Sequence, residues 1–400
     1  MASMTRIVIS PDKFKGSLPA AEVAQAIRRG LLTYRSDLDI LCLPVADGGD
    51  GTLAAAEAAG FERVQQTATG PTGEPVATAY GRRGDTAVVE MADVCGLVRL
   101  PHGELAPMTA TSRGLGELIA AALPAGARRI VVGIGGSAST DGGAGMLQAL
   151  GVSLRDGNGN EIGAGGAALL DLAEVDLSRV HPGVAHAEMV VACDVDNPLT
   201  GPLGAAATYG PQKGATSADA LVLDEALTRL ADHLARQTGR DVRDVPGAGA
   251  AGGAGFAAMA LFGATMRPGI DLILKLVEFA DQVVGADLVI VGEGSMDAQT
   301  LHGKAPMGVA KLANEAGAIV VAVCGRNTLD QAQLSEAGVA AAYSLADIEP
   351  DLKQSMMHAT ALLELVGERL AHEHLRRLLE PDPLRREGAR RWPDPTVAPR

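Results

Sequence analysis

Short uninterrupted apolar runs recur along the chain. Each is followed by glycines mixed with acids or lysines, and then usually by an apolar pattern of helical period. The runs are Arg6–Ser10, Ile40–Val45, Arg129–Ile134, Glu188–Cys193, Leu288–Val291, Ile319–Cys324 and Ala340–Leu345. Runs of this length bounded by turn residues predict strands buried on both faces, as in parallel sheets. Helical spacing covers Ala20–Leu32, Thr109–Leu123, Met146–Leu150, Ala218–Gly239 and Met356–Leu370, and an Ala-rich helix follows Thr52. Ser17 or a neighbour is placed to cap the first of these helices, with Pro19 near its first turn; Thr111 or Ser112 is placed to cap the second.

The rhythm changes at Gly70, where G-P-T-G-E-P forms a turn cluster. Two β-like runs around a Gly-containing loop follow in 76–91 and predict an antiparallel hairpin. A domain boundary is therefore expected near residue 70, and strand–helix alternation resumes after about 281. Gly247, Gly249 and Gly252 formally satisfy G-x-G-x-x-G, but no convincing strand precedes them, so a close-packing or ligand-facing loop is expected instead of a dinucleotide fingerprint. Residues 376–400 are rich in Pro and Arg with no sustained period, and read as a flexible tail.

Composition narrows the class. A chain of 400 residues is comfortable as two domains, and its 47% hydrophobic content supplies ample core. Aromatics make up only 2%, so that core must be built from Val, Leu, Ile and Ala. The net charge of −14 argues against a general nucleic-acid or anionic-membrane surface, and an anionic ligand would have to be captured locally. Cys42, Cys95, Cys193 and Cys324 form no C-x-x-C pair and read as reduced, buried thiols. Neither a signal peptide nor an apolar span of about twenty residues is evident, so a cytoplasmic location is expected.

The polar corners carry the chemistry. Strand ends at 12–17, 47–52, 135–143, 194–201 and 292–304 all combine Gly with Asp, Lys, Ser or Asn. Phosphoryl transfer needs this mixture. Carboxylates hold Mg²⁺ or accept a hydroxyl proton, while lysines and backbone N–H groups neutralise the moving phosphoryl group. Mg²⁺ takes one or two carboxylates and keeps several waters, so no histidine cluster is required. The eight histidines show no zinc-type spacing. Neither a Walker A loop nor a G-x-S-x-G elbow occurs.

The strings P-D-K-F-K-G-S-L, V-A-D-G-G-D-G-T, G-G-S-A-S-T-D-G-G-A-G-M, C-D-V-D-N-P-L-T-G-P, G-P-Q-K-G-A, G-A-G-A-A-G-G and G-E-G-S-M-D-A-Q-T-L-H-G-K-A-P-M-G-V-A together resemble the bacterial glycerate kinase family, of the glycerate 2-kinase type. The resemblance runs from about Met4 to residue 370. It implies a flavodoxin-like (Rossmann-like) parallel-sheet α/β domain formed by both chain ends, residues 1–70 and 282–375. A second α/β domain, 71–281, is inserted in it, and the active site lies in the cleft between them. It also implies ATP and Mg²⁺ as cofactors and D-glycerate as the small-molecule substrate, giving 2-phosphoglycerate, in a monomer or homodimer. Another small hydroxy acid, or 3-phosphoglycerate as product, is the alternative.

On that resemblance Lys15, Ser17 and Lys304 contact anionic groups. Gly135, Gly136 and Ser137 cradle the nucleotide phosphates, with Gly292 and Gly294 also at the nucleotide. Asp194 is the first choice of base and Asp297 the second, while Asp47, Asp141 and Glu293 are candidates for Mg²⁺. Lys13, Asp50 and Thr140 depart from the family's common Ser, Glu and Asn. They fall in motif loops where substrate preference or metal geometry is tuned.

Overall fold

The apolar runs become strands of two main sheets in a computed structural model that describes residues 5–375. In chain order the strands are β1 (Arg6–Pro11), β2 (Asp39–Cys42), β3 (Glu62–Thr69), β4 (Pro75–Arg83), β5 (Thr86–Glu90), β6 (Arg129–Gly133) and β7 (Ser153–Arg155). They continue as β8 (Glu174–Asp176), β9 (Glu188–Ala192), β10 (Thr265–Arg267), β11 (Leu288–Met296), β12 (Ile319–Asn327) and β13 (Ala341–Ser344). One sheet has the order β13-β12-β11-β1-β2 and is parallel throughout. The other has the order β10-β9-β6-β5-β4-β3, parallel from β10 to β5 and antiparallel at β4 and β3. A short antiparallel pair, β7 with β8, stands apart.

Alternation along each central strand divides the core. Ile7, Ile9, Leu288, Ile290, Val321 and Val323 face the helices Ala20–Tyr34 and Ala359–Leu370, through Val23, Ile27, Leu363 and Val366. Their neighbours Val8, Val289, Val291, Val320 and Ala322 point the other way, toward Val309 and Ala313 of the helix Ala305–Glu315. This second cluster does not stop at the first sheet. It continues through Ile270 and Ile273 of the helix Gly269–Leu276 to Val88, Val131 and Val190 of the second sheet. The two sheets therefore share an apolar layer, and the loops at their strand ends are brought together. A third cluster covers the far face of the second sheet.

Several expectations are corrected. β3, Glu62–Thr69, pairs along its whole length with β4, so the chain leaves the first sheet before Glu62 and not near residue 70. The preceding helix Thr52–Ala58 also packs its Ala55 and Ala56 with Val88 and Val131. The hairpin of β4 and β5 forms as expected. β11 does not break after Val291 but runs on to Met296, paired with β12 as far as Asn327. Ser17 does not cap the first helix: Pro19 holds the N-cap position, and the Ser17 hydroxyl donates to the Met356 carbonyl at 2.9 Å. The closing helix is split at His358 into Leu352–Met357 and Ala359–Leu370. The expected tail, 376–400, lies outside the described residues. Among the described residues no helix is long and apolar enough to cross a membrane.

Candidate active site

The carboxyl ends of strands from both sheets converge on the loop Asp47–Gly51. A Cβ on Gly269 would stand 1.8 Å from the Asp47 carbonyl oxygen, and one on Gly135 would stand 2.6 Å from Gly49 Cα. Only glycine permits such backbone-to-backbone approach. The Gly269 N–H, at the start of its helix, donates to Asp194 Oδ1 at 2.7 Å. On the side of the first sheet, the Asp12 N–H donates to the Gly292 carbonyl at 2.8 Å. Asp12, Asp47, Gly135 and Asp194 thus come from four separate strand ends, the usual place for a ligand site in an α/β sheet.

Lys13 lies at the centre of the carboxylates. Its ammonium is 3.6 Å from Asp47 Oδ1 and 3.8 Å from Asp12 Oδ1, and it donates to the Asp50 carbonyl at 2.8 Å. Burial opposes its charge, but the surrounding acids prevail and its pKa is raised. Burial raises Asp12 to about 7 against the pull of Lys13. Asp194 is exposed at the end of β9 but backed by protein. Loss of water raises its pKa, the Gly269 N–H opposes this, and the negative charges of Asp47 and Asp271 add to the rise. Burial likewise raises Glu293, which accepts from Thr300 Oγ1 at 2.5 Å, while Lys304 pulls it down. Lys304 stands at the N-cap of Ala305–Glu315. Lys15 is exposed and makes no ion pair among the described residues.

Not every expected site residue belongs here. Asp141 is fully buried, and its carboxylate accepts from the Ser112 N–H (2.8 Å), Ser112 Oγ (2.9 Å), the Gly143 N–H (3.1 Å) and the Gly145 N–H (3.2 Å). A carboxylate saturated by four protein donors staples its loop to the start of the helix Arg113–Ala122 and is not left for a metal. Asp141→Asn is expected to cost about 2–4 kcal/mol, because an amide cannot accept at both positions and strands buried donors. Denaturant unfolding checks this, and an unchanged midpoint would contradict it.

Gly292 is buried inside β11 with partners on both sides, so it packs against backbone and is removed from the phosphate-contact candidates. Asp297 has one oxygen in an Asx-turn to the Gln299 N–H at 2.8 Å, a local structural task. Gly294 lies against the Phe14–Lys15 backbone. Gly136 is exposed, whereas Ser137 beside it is buried. Among the described residues no group of three or more His, Cys, Asp or Glu is gathered as metal ligands.

Four residues escaped the sequence reading. Asp12 was visible in the P-D-K-F-K string, but nothing there distinguished it from Lys13. Glu90 ends an apolar strand and looked like a hairpin residue. It is 4% exposed and accepts from the Gly51 N–H at 3.2 Å and the Leu53 N–H at 2.8 Å, so it holds the entry to the Thr52–Ala58 helix. Lys213 sat unassigned in G-P-Q-K-G-A. Arg267 ends a three-residue strand with no sequence signal, beside Ala192 in register, and its side chain makes no ion pair among the described residues.

Glu90 gives a pH prediction. Burial first of all raises its pKa from the ordinary 4.5 to about 7, so the folded protein keeps a proton that the unfolded chain has released. Its contribution is full below the ordinary carboxylate value and is lost as pH rises through about 7. Wild type should therefore lose melting temperature relative to Glu90→Gln between these two values. A gap that does not change with pH would contradict this.

The strand ends of the two sheets, with their mixed carboxylates and lysines, make an α/β enzyme site suited to anionic ligands. Residues 7–375 match the model of the glycerate kinase family. The chain is 46% identical to the glycerate kinase of Bacillus subtilis (strain 168) over 92% of its own length and 97% of that protein. It is 46% identical to the glycerate 2-kinase of Escherichia coli (strain K12), over 85% and 90% of the two chains. A crystal structure provisionally assigned as glycerate kinase 2 from Salmonella typhimurium LT2 superposes with a TM-score of 0.79 at 43% identity, covering 92% of this chain and 98% of that one. The chain belongs to the glycerate kinase family, and it is a kinase.

Proposed function

We propose that this chain transfers the γ-phosphoryl group of ATP to the 2-hydroxyl of D-glycerate, giving 2-phosphoglycerate and ADP. The observation that carries the reading is the meeting of Asp12, Asp47, Asp194 and Gly135 from separate strand ends around the Asp47–Gly51 loop. In this reading the parallel order β2-β1-β11-β12-β13 corresponds to a flavodoxin-like sheet. It supports a domain made from both chain ends, with the second sheet inserted between β2 and β11.

In this reading Asp194 accepts the proton as the glycerate hydroxyl oxygen attacks the γ-phosphorus and the β–γ bridging oxygen leaves with ADP. Its raised pKa suits a base, and the Gly269 N–H fixes one of its oxygens. Asp297 is the reserve choice. Lys15 and Lys304 neutralise phosphoryl or carboxylate oxygens, and exposed Arg267 offers a planar fork for the glycerate carboxylate. Gly136 and Ser137 border the nucleotide phosphates; Gly135 sets their approach to Gly49, and Gly294 shapes the opposite wall. Ser17, tied to Met356, acts on the ligand only through its loop.

The donor set fits Mg²⁺. Asp47 is half-exposed, and the Glu293 carboxylate has one oxygen bound to Thr300, so both are hard oxygen donors of the kind this ion takes in ones and twos. Bound there, Mg²⁺ would offset charge on the phosphoryl oxygens. Turnover of D-glycerate, L-glycerate, lactate and tartronate under identical conditions tests the substrate. D-glycerate should give the highest kcat/KM, and preference for another acid would redirect the reading within the same chemistry.

A further inference from the structure

Among the described residues Lys213 is the largest fully buried side chain, at 2% exposure, and it has no ion pair. It follows the short helix Ala205–Tyr209 and reaches beneath the loop that ends β6. Its Nζ donates to Ser137 Oγ at 2.8 Å and to the Ser139 carbonyl at 2.5 Å. Among the described residues the charged group that bears on it is Asp141, which is already saturated by four protein donors. Two hydroxyls of the same loop, Ser139 Oγ and Thr140 Oγ1, are buried without a hydrogen-bond partner among the described residues. Beside the Asp141 staple, the Ser137–Ser139 stretch of the loop is therefore tied from below by this lysine. A buried ammonium without a counter-ion is costly, and an apolar residue would fill the space more cheaply.

We propose that Lys213 is a positioning residue for polyphosphate binding: it takes up a proton when the anion settles on Gly136–Ser137 and thereby frees the Ser137 hydroxyl to donate to that anion. The inference rests on the reading of this loop as the phosphate cradle. The chemistry follows from the contact. A neutral amine accepts the Ser137 proton, whereas an ammonium donates to Ser137 Oγ and leaves the Ser137 O–H to point outward. Burial lowers Lys213 to about 7, so in the free protein both forms lie within reach of neutral pH. An anion directly above favours the charged form. The proton comes from solvent, and no covalent bond is made or broken.

The test is calorimetric titration of the full chain with MgATP, in the absence of glycerate, at about pH 8 in buffers of different ionisation enthalpy. Wild type is expected to take up more protons than Lys213→Met, by as much as about one per nucleotide, and to bind about tenfold more tightly. Lys213→Arg, charged at every pH, should bind without that uptake. Asp12 and Glu90 contribute equally to all three proteins and cancel in the comparison. Uptake that is absent in wild type, or equal in wild type and Lys213→Arg, overturns the proposal; this pair decides it even where Lys213→Met does not fold. Amide exchange read on the same samples separates the two layers of the argument. If MgATP binds without slowing exchange at 135–137, the cradle reading itself has failed, and the proposal with it.

Discussion

Asp194→Asn is expected to fold as wild type and to lose about a hundredfold or more in kcat, with KM for ATP and glycerate changing far less. The substitution keeps an oxygen to accept from the Gly269 N–H, which is 2.7 Å away in the wild-type protein. What it removes is the capacity to take a proton. The environment of Asp194 is consistent with that task. Burial raises its pKa, and Asp47 and Asp271 repel its charge, while one N–H keeps the carboxylate ionised enough to act. A residue that only anchored the helix Gly269–Leu276 would tolerate Asn with little kinetic effect. Equal rates for wild type and Asp194→Asn, with a normal melt, would pass the role of base to Asp297.

Gly269→Ala should be the most damaging single methyl at these strand ends. The added carbon would lie 1.8 Å from the Asp47 carbonyl oxygen, 2.4 Å from its carbonyl carbon and 3.0 Å from the Gly48 nitrogen, all backbone atoms that cannot rotate away. Relief requires the Asp47–Gly51 loop and the Gly269 helix to separate. Separation would draw Asp47 from Lys13 and the Gly269 N–H from Asp194. A loss of about 2–4 kcal/mol is expected from overpacking of this severity, together with a fall in kcat/KM that exceeds the loss of folded protein. Chemical unfolding and steady-state kinetics on the same sample check both, and an unaltered melt would show that the approach of these loops is looser than described.

What the sequence disclosed followed from local signals. β1, β6, β9, β11 and β12 were legible because a strand buried on both faces is an apolar run, whatever its partners. β3 was not, since Glu62–Thr69 sits at the edge of its sheet and carries mostly polar residues; only its pairing with β4 shows where the chain changes sheet. The acids at strand ends were equally visible, but their tasks were not. Asp141 and Asp194 look alike in a motif, and the difference between them is made by Ser112, twenty-nine positions from Asp141, and by Gly269, seventy-five from Asp194. Lys213 was hidden by the ordinary expectation that lysines lie at the surface. Glu90 and Arg267 needed the register of the second sheet before they could be placed at its carboxyl edge.

Supplying ATP, Mg²⁺ and D-glycerate, and reading product through enolase, pyruvate kinase and lactate dehydrogenase with phosphoglycerate mutase left out, tests the proposed reaction itself. Enolase accepts 2-phosphoglycerate and not the 3-isomer, so oxidation of NADH without the mutase is the predicted result. Signal that appears only when mutase is added would contradict the choice of hydroxyl. Silence in both arms, from folded protein, would contradict the proposed reaction.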